Sequence, residues 1–401
     1  MKPVTRRSLL KTSAPAAGLG IAALGGAFSP AKALADAGHG AHTGHALKGH
    51  ATFTGGDVDH EANGFNPHTM LRDFDWGKTH RTAAGRTVRE WTLVAQPREI
   101  EVAPGVKYPA WTYNGRVPGP TIRAREGERL RITLVNASEH NHTIHFHGIH
   151  PAAMDGVAGN GAGEIGPGKS TVYEFDAKPF GLHLYHCHVR PLAEHIAKGL
   201  YGAFIIDPKE GRREADEMVL VLNGFDTNFD RANEVYAANT VGFAYMHEPI
   251  RVHRNDLVRM YIVNVLEYDL INSFHLHGNL FNYYPTGTSL KPSEYTDTVM
   301  QCQGQRGIAE VCFPDPGRFM IHAHQSEFTE LGWQGFIEVE DGAGVFRNGK
   351  RQAFVDAVET DGVVVAVEVG HLAGADAVAA LRGCVRRSGA AGLFPRHLDH
   401  Q

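Results

Sequence analysis

Leu130-Arg131-Ile132-Thr133-Leu134-Val135-Asn136 is the stretch whose reading decides the fold. Apolar residues fall at every second position, the period of a strand with one face in a core. The pattern returns as Val258-Arg259-Met260-Tyr261-Ile262-Val263-Asn264. Further along, His145-Phe146-His147-Gly148 returns as His275-Leu276-His277-Gly278, and His186-Cys187-His188 as His322-Ala323-His324. The offsets are 128, 130 and 136, so only a few loop residues separate the two copies. An ordered repeat on this scale predicts two homologous domains in tandem.

Other short β signals surround the repeat. Arg89–Ala95 and Thr121–Arg125 are largely alternating, and turn clusters such as Asn114-Gly115-Arg116-Val117-Pro118-Gly119-Pro120 separate them. Strands at roughly ten-residue spacing imply β-sandwiches. The expected class is all-β, with sandwiches over 86–208 and 213–341; the one helical stretch is near 191–199. Hydrophobic residues make up 42% and charged residues 21% of the 401, which excludes a disordered or fibrous chain. A net charge of −5 gives no general handle for nucleic acid. The counts that stand out are 25 His and 4 Cys. Four thiols cannot build a disulfide scaffold, and so many imidazoles point toward metal.

Residues 1–35 read as an address. Thr5-Arg6-Arg7-Ser8-Leu9-Leu10-Lys11 precedes an Ala/Gly-rich stretch and then Ala33-Leu34-Ala35, a cleavage signal. This resembles a twin-arginine export signal, so the mature protein is expected outside the cytoplasm and without a membrane-inserted segment. Residues 36–85 read as a polar linker carrying His39, His42, His45 and His50. In the tail 342–401, to which no role is assigned, Val363–Val369 reads as a strand and 374–382 as a short helix. Export permits a disulfide between Cys302 and Cys312, but the sequence does not establish one.

The chemistry follows from strand periodicity. Residues i and i+2 share a face while the residue between points the other way. His186 and His188 therefore face one side and Cys187 the other, so one strand serves two metal centres a few covalent bonds apart. Cys187, His142 and His195 form the His₂Cys set of a blue-copper site, with Leu200 at the weak axial position. In the second copy Asn272, Ala323, Phe328 and Trp333 replace those residues. The imidazole face is kept and the thiolate face is erased.

These motifs, with Trp111-Thr112-Tyr113-Asn114-Gly115-Arg116-Val117-Pro118-Gly119-Pro120, resemble the two-domain, laccase-like multicopper oxidases over about 86–341. The resemblance implies two cupredoxin-like Greek-key sandwiches and four coppers per subunit: one type 1, one type 2 and two type 3. His145 and His275 match the type 2 ligands. His147, His186, His188, His277, His322 and His324 match the type 3 ligands. It further implies oxidation of a small donor, phenolic or aromatic, with dioxygen as acceptor. Four cluster histidines come from each domain, so the cluster lies where a first domain meets a second. The resemblance implies a homotrimer with clusters between neighbouring subunits, and a monomer whose own two domains bind the cluster is the alternative. Glu327 and Asp155 match acidic positions that supply protons.

One departure keeps a second reading open. Cys187 and His195 are eight residues apart, resembling the longer loop of copper nitrite reductases. Those enzymes resemble His-x-x-Asp-x-His at the first motif, where this chain has His145, and they lack a His directly after the blue-copper Cys, where this chain has His188. A non-catalytic copper carrier would be a single domain without the extra His pairs. The donor itself is not written in the sequence, because docking sites lie on loops.

Overall fold

The structure, a computed structural model, describes residues 57–342 in full and the backbone of four short strands beyond them, Gly344–Arg347, Lys350–Ala353, Val355–Thr360 and Val363–Val367. The Arg6-Arg7 signal, the histidines of 39–50, the 374–382 helix and Cys384 lie outside the described residues. Val363–Val367 does form a strand, paired with Val355–Thr360.

The first sandwich pairs two sheets. One holds Lys78–Arg81, Thr87–Ala103, Arg129–Asn136 and Ser170–Asp176, with Val106–Tyr113 folded back on the long second strand. The other runs Phe74–Asp75, Thr121–Arg125, Tyr201–Asp207, Gly181–His186 and His145–Phe146. Parallel neighbours far apart in sequence, such as Thr87–Ala103 with Arg129–Asn136, give the Greek-key crossover. The second sandwich repeats the plan. Its six-stranded sheet has Asp216–Phe225, Leu257–Asn264 and Arg306–Cys312 at the centre, and its five-stranded sheet includes Ile271–Leu276, Gly317–His322 and Gln334–Glu340.

The strand runs that do not alternate have a physical cause. Tyr201, Ala203 and Ile205 pack in a core shared with Val219, Val221 and Phe225 of the second domain. Phe204 and Ile206 point into the first domain's own core, and Met218, Leu220 and Leu222 into the second's. These strands are covered on both faces, so both faces are apolar. Leu182 and Leu184 belong to the shared core, and His186 continues their face. Cys187 lies in the first domain's interior.

Ion pairs pin the junction. Arg123 binds Asp207 at 2.8 Å and Glu217 at 2.7 Å, and Arg259 binds Glu217 at 2.8 Å and Glu310 at 2.7 Å. Burial alone would raise the Glu217 pKa, but Arg123 and Arg259 outweigh it and bring it down to about 2.

The expected linker over 36–85 differs from what the structure shows over 57–85. Asp59 and Asn66 cap two short helices, His60–Asn63 and Pro67–Met70. Val58, Phe65 and Met70 enter the shared core and Leu71 the second domain's core. Arg72 binds the buried Asp216 at 2.8 Å. Phe74–Asp75 and Lys78–Arg81 are strands of the first sandwich. This strap lies against both domains. No disulfide joins Cys302 to Cys312; they end the strands Thr298–Cys302 and Arg306–Cys312, which belong to different sheets of the second sandwich.

Candidate metal centres

The chain between His186 and Leu200 sets the geometry of both centres. The eight-residue spacing is taken up by the helix Leu192–Ala197, which carries His195 back to Cys187. Gly199 then returns the chain to the next strand with φ +111°. A Cβ there would lie 2.5 Å from Val117 Cγ2 and 3.0 Å from the Trp111 carbonyl, so only glycine fits.

Cys187 Sγ is 3.2 Å from His195 Nδ1 and 3.8 Å from His142 Nδ1, and all three residues are buried. The Thr143 N–H donates to the sulfur at 3.4 Å. Burial lowers the His142 pKa to about 3 and the His195 pKa to about 4, so both imidazoles are neutral with a lone pair free. The same burial raises the Cys187 pKa, so a thiolate here needs a cation beside it. Two neutral imidazoles and a thiol in a dry pocket fit copper. Leu200 is fully buried in the same core, and Trp111 packs edge-on against both imidazoles, at 4.8 Å from His195 and 5.4 Å from His142.

On the other side of the chain, His147 Nε2 and His186 Nε2 stand 2.9 Å apart. The second domain reproduces this with His277 Nε2 and His322 Nε2, also at 2.9 Å. Buried Nδ1 atoms are tied back to backbone. The His186 Nδ1–H donates to the Cys187 carbonyl at 2.8 Å, and the His322 Nδ1–H to the Ala323 carbonyl. The His145 Nδ1–H faces the Asp155 carbonyl at 2.9 Å and its Oδ1 at 3.0 Å. The His275 Nδ1–H faces the Asp297 carbonyl at 3.1 Å and Thr298 Oγ1 at 2.7 Å. Each ring is thereby oriented with its Nε2 free, as a metal ligand requires. Burial lowers the pKa of His147 to about 3 and of His186 to about 4, and lowers His145, His275, His277 and His322 as well. His188 and His324 complete each set, 5.3 Å from the His145 ring and 5.2 Å from the His275 ring.

Among the described residues the two sets do not meet. Ring contacts join histidines within each set and none joins one set to the other. The first set opens on a cavity of about 240 Å³ walled by Leu184, Leu192, Ile196, Val265, Gln303 and Gly304. Gly304 has φ +80°, and a Cβ there would touch His147 at 3.5 Å. In the second set His277 and His324 are exposed.

The erased centre of the second domain is filled with hydrocarbon. Ala323 and Trp333 are buried, the Trp333 Nε1–H donates to the Ser273 carbonyl at 3.1 Å, and Phe328 stacks on Tyr236 at 4.1 Å. Asn272 keeps a buried Nδ2 without a hydrogen-bond partner.

The two acidic candidates part company. Asp155 contacts His145 and, at 3.5 Å, His150 Nε2. Glu327 is exposed on the helix Ser326–Glu330, near Tyr236 and in contact with none of the histidines. Sequence reasoning missed His150 and the Asp297–Thr298 pair. The repeat offered a signal for the latter: His275 must be anchored as His145 is.

Residues 95–211 and 216–342 each match the sequence profile of the multicopper oxidases. The chain is 59% identical to a solved multicopper oxidase, over 71% of this chain and all of that one, with TM-score 0.70. It is also similar to a blue copper oxidase structure from Nitrosomonas europaea, with 27% identity, 63% and 86% coverage and TM-score 0.57. A copper-containing nitrite reductase of Neisseria meningitidis is 29% identical over 57% of this chain and 63% of its own length. The chain thus spans less than two thirds of that relative. Laccase 1 of Metarhizium acridum is 35% identical over 36% of this chain and 22% of its own. With both sandwiches matched in order and the His and Cys ligands assembled inside them, this chain belongs to the multicopper oxidase family.

Proposed function

We propose that the protein is a laccase-like oxidase, taking electrons from a small phenolic or aromatic donor at the His142–Cys187–His195 centre and reducing dioxygen to water at the eight remaining histidines. The observation that carries this reading is the doubled set, with His147–His186 and His277–His322 each at 2.9 Å and His188 and His324 present beside them. A single non-blue copper would leave several of these neutral imidazoles without a role. Four coppers, one at Cys187 and three across the histidines, supply the four electrons that dioxygen needs. The chain's own part is positional. The Cys187 carbonyl accepts the His186 Nδ1–H, adding a hydrogen-bonded link to the covalent one between the two centres. Asp155 orients His145 and, with His150, places ionisable groups beside the cluster for proton supply.

The two sets are brought together by a second copy of the chain. The exposure of His277 and His324, with Leu270 91% and Met300 68% exposed on the same domain, supports this assignment. A closed homotrimer satisfies three such interfaces at once. Arg6-Arg7 and Ala33-Leu34-Ala35 support export to the periplasm or beyond.

Nitrite reduction is the second reading, favoured by the eight-residue loop and the Neisseria relatives. An oxygen electrode with a phenolic donor, and nitrite as the control acceptor, separates the two. Oxygen uptake without nitrite consumption is expected, and the reverse overturns the oxidase. Assembly is tested by mixing inactive His147→Ala and His277→Ala proteins after dissociation. Activity should return, because some interfaces then pair two intact domains. No recovery despite proven subunit exchange refutes the shared cluster.

A further inference from the structure

The blue-copper donor set is closed to solvent. Cys187, His142 and Leu200 are fully buried and His195 is 3% exposed. An aromatic donor therefore meets the groups that cover the imidazoles before it meets either of them. Trp111 is one such group, half-buried at the edge of the first domain's core and packed edge-on against both rings. The exposed His140 ring lies 4.6 Å from the indole, tilted by 38°. The Trp111 backbone is fastened to the end of the helix Leu192–Ala197, since its N–H donates to the Lys198 carbonyl at 2.8 Å.

The second domain carries the same fastening without the copper ligands. Asn114 and Asn239 both have φ +58°, and their Oδ1 atoms accept from the Val94 and Val221 N–H groups. Three residues before them stand Trp111 and Tyr236. The Tyr236 N–H donates to the Leu331 carbonyl at 3.0 Å. A Cβ on Gly332 would collide with the Tyr236 carbonyl, as one on Gly199 would with that of Trp111. Tyr236 is thus the counterpart of Trp111, and Phe328 that of His195. Tyr236 is 3% exposed, stacks on Phe328 at 14° and donates its hydroxyl to Asp269 at 3.0 Å. The aromatic is sealed in the copy that lost its metal ligands and open in the copy that kept them. The fold tolerates closure at this position, so the opening beside His142 and His195 calls for a reason of function.

We propose that Trp111 is the electron port of the blue centre and that, with His140, it seats the ring of an aromatic donor. This rests on the donor-oxidising reading above. A planar, electron-rich ring packs on the indole at the usual aromatic separation of about 4.5–7 Å, without touching a copper ligand. A phenolic donor gives up one electron, which crosses the indole and an imidazole to the Cu²⁺ bound at Cys187 and leaves Cu⁺. Its O–H bond breaks, the proton passes to water, and a phenoxyl radical departs. Trp111 is unchanged at the end of the step.

The test compares wild type with Trp111→Leu, Trp111→Phe and His140→Ala, using 2,6-dimethoxyphenol as the donor. In the copper-free full chain, calorimetric titration measures seating without chemistry. Trp111→Leu should bind the phenol roughly tenfold more weakly, the factor that a lost aromatic contact is worth, while Trp111→Phe keeps most of the affinity. In the copper-loaded chain without oxygen, stopped-flow bleaching of the blue band measures electron entry. The phenol should bleach Trp111→Leu more slowly than wild type, whereas hexaammineruthenium(II), too small to need a seat, should not be slowed. His140→Ala leaves the rings against the copper ligands in place, so its blue band should be unchanged while phenol binding weakens. Wild-type phenol binding in both Trp111→Leu and His140→Ala overturns the seat, and an unchanged phenol bleaching rate in Trp111→Leu overturns the port. Failure of the donor-oxidising reading looks different: no aromatic donor would then bleach the wild-type protein.

Discussion

Asp155→Asn isolates one hydrogen bond of the cluster. The side chain keeps its size and the backbone carbonyl at 2.9 Å from His145 Nδ1 is untouched, so ring orientation survives. What is lost is the negative charge on Oδ1, 3.0 Å from the same nitrogen. A hydrogen bond to a charged group contributes about 1.5–3 kcal/mol and a neutral one about 0.5–1.5 kcal/mol, a difference near 1 kcal/mol. The Asp155 side chain is 28% exposed, so solvent holds the effect to the lower end. Replacing a group that orients a ligand in this way typically costs 10–100-fold in metal affinity. The expected outcome is therefore roughly tenfold weaker copper binding at the His145 site alone. Copper titration against a chelator measures it, following the electron paramagnetic resonance of the non-blue copper beside the blue absorbance. The blue band should titrate as in wild type, because Cys187 faces the domain interior on the opposite side of the chain. Equal weakening of both signals, or of neither, refutes the assignment of Asp155 to His145.

Two further outcomes follow from the same geometry. Leu200→Met places a thioether at the weak axial position and should lower the reduction potential of the blue centre, measured by redox titration; an unchanged or higher value means another residue is axial. The metal-free protein should lose stability as the pH falls from about 6.5 toward 4. The imidazoles of His142, His147, His186 and His195 stay neutral in the folded state down to about 3–4 while the unfolded chain takes up protons from about 6.5. Urea unfolding at pH 7 and pH 5 checks the sign, and equal midpoints refute it.

The clustering of the candidate ligands was legible because each motif is local. His-x-His and His-Cys-His impose their geometry over a few residues, and the strand period alone places the thiol and the imidazoles on opposite faces, as the structure has them. The eight-residue loop was read as a departure, and the helix near 191–199 was read as a helix, but their connection through Gly199 depends on contacts with Val117 and Trp111 made only in three dimensions. The strap could not be read the same way. Val58, Phe65, Met70 and Leu71 are scattered apolar residues without a period, and they bury themselves only because two domains present a seam to receive them. Asp297 was invisible for another reason. It reaches His275 through the register that pairs His275 with Thr298, which no short motif encodes.

Because Cys187 and His186 are joined by one peptide bond and His188 by the next, the spacing of the two centres is a covalent constant. In the trimer proposed above, the distance from one histidine set to the other would be a property of assembly. Loosening between copies of the chain would leave the first step of electron flow at its native speed while switching off the step that consumes oxygen. A dissociated subunit of this kind would still bleach with donor and stay bleached in air, so colour recovery after reduction becomes a direct readout of quaternary integrity.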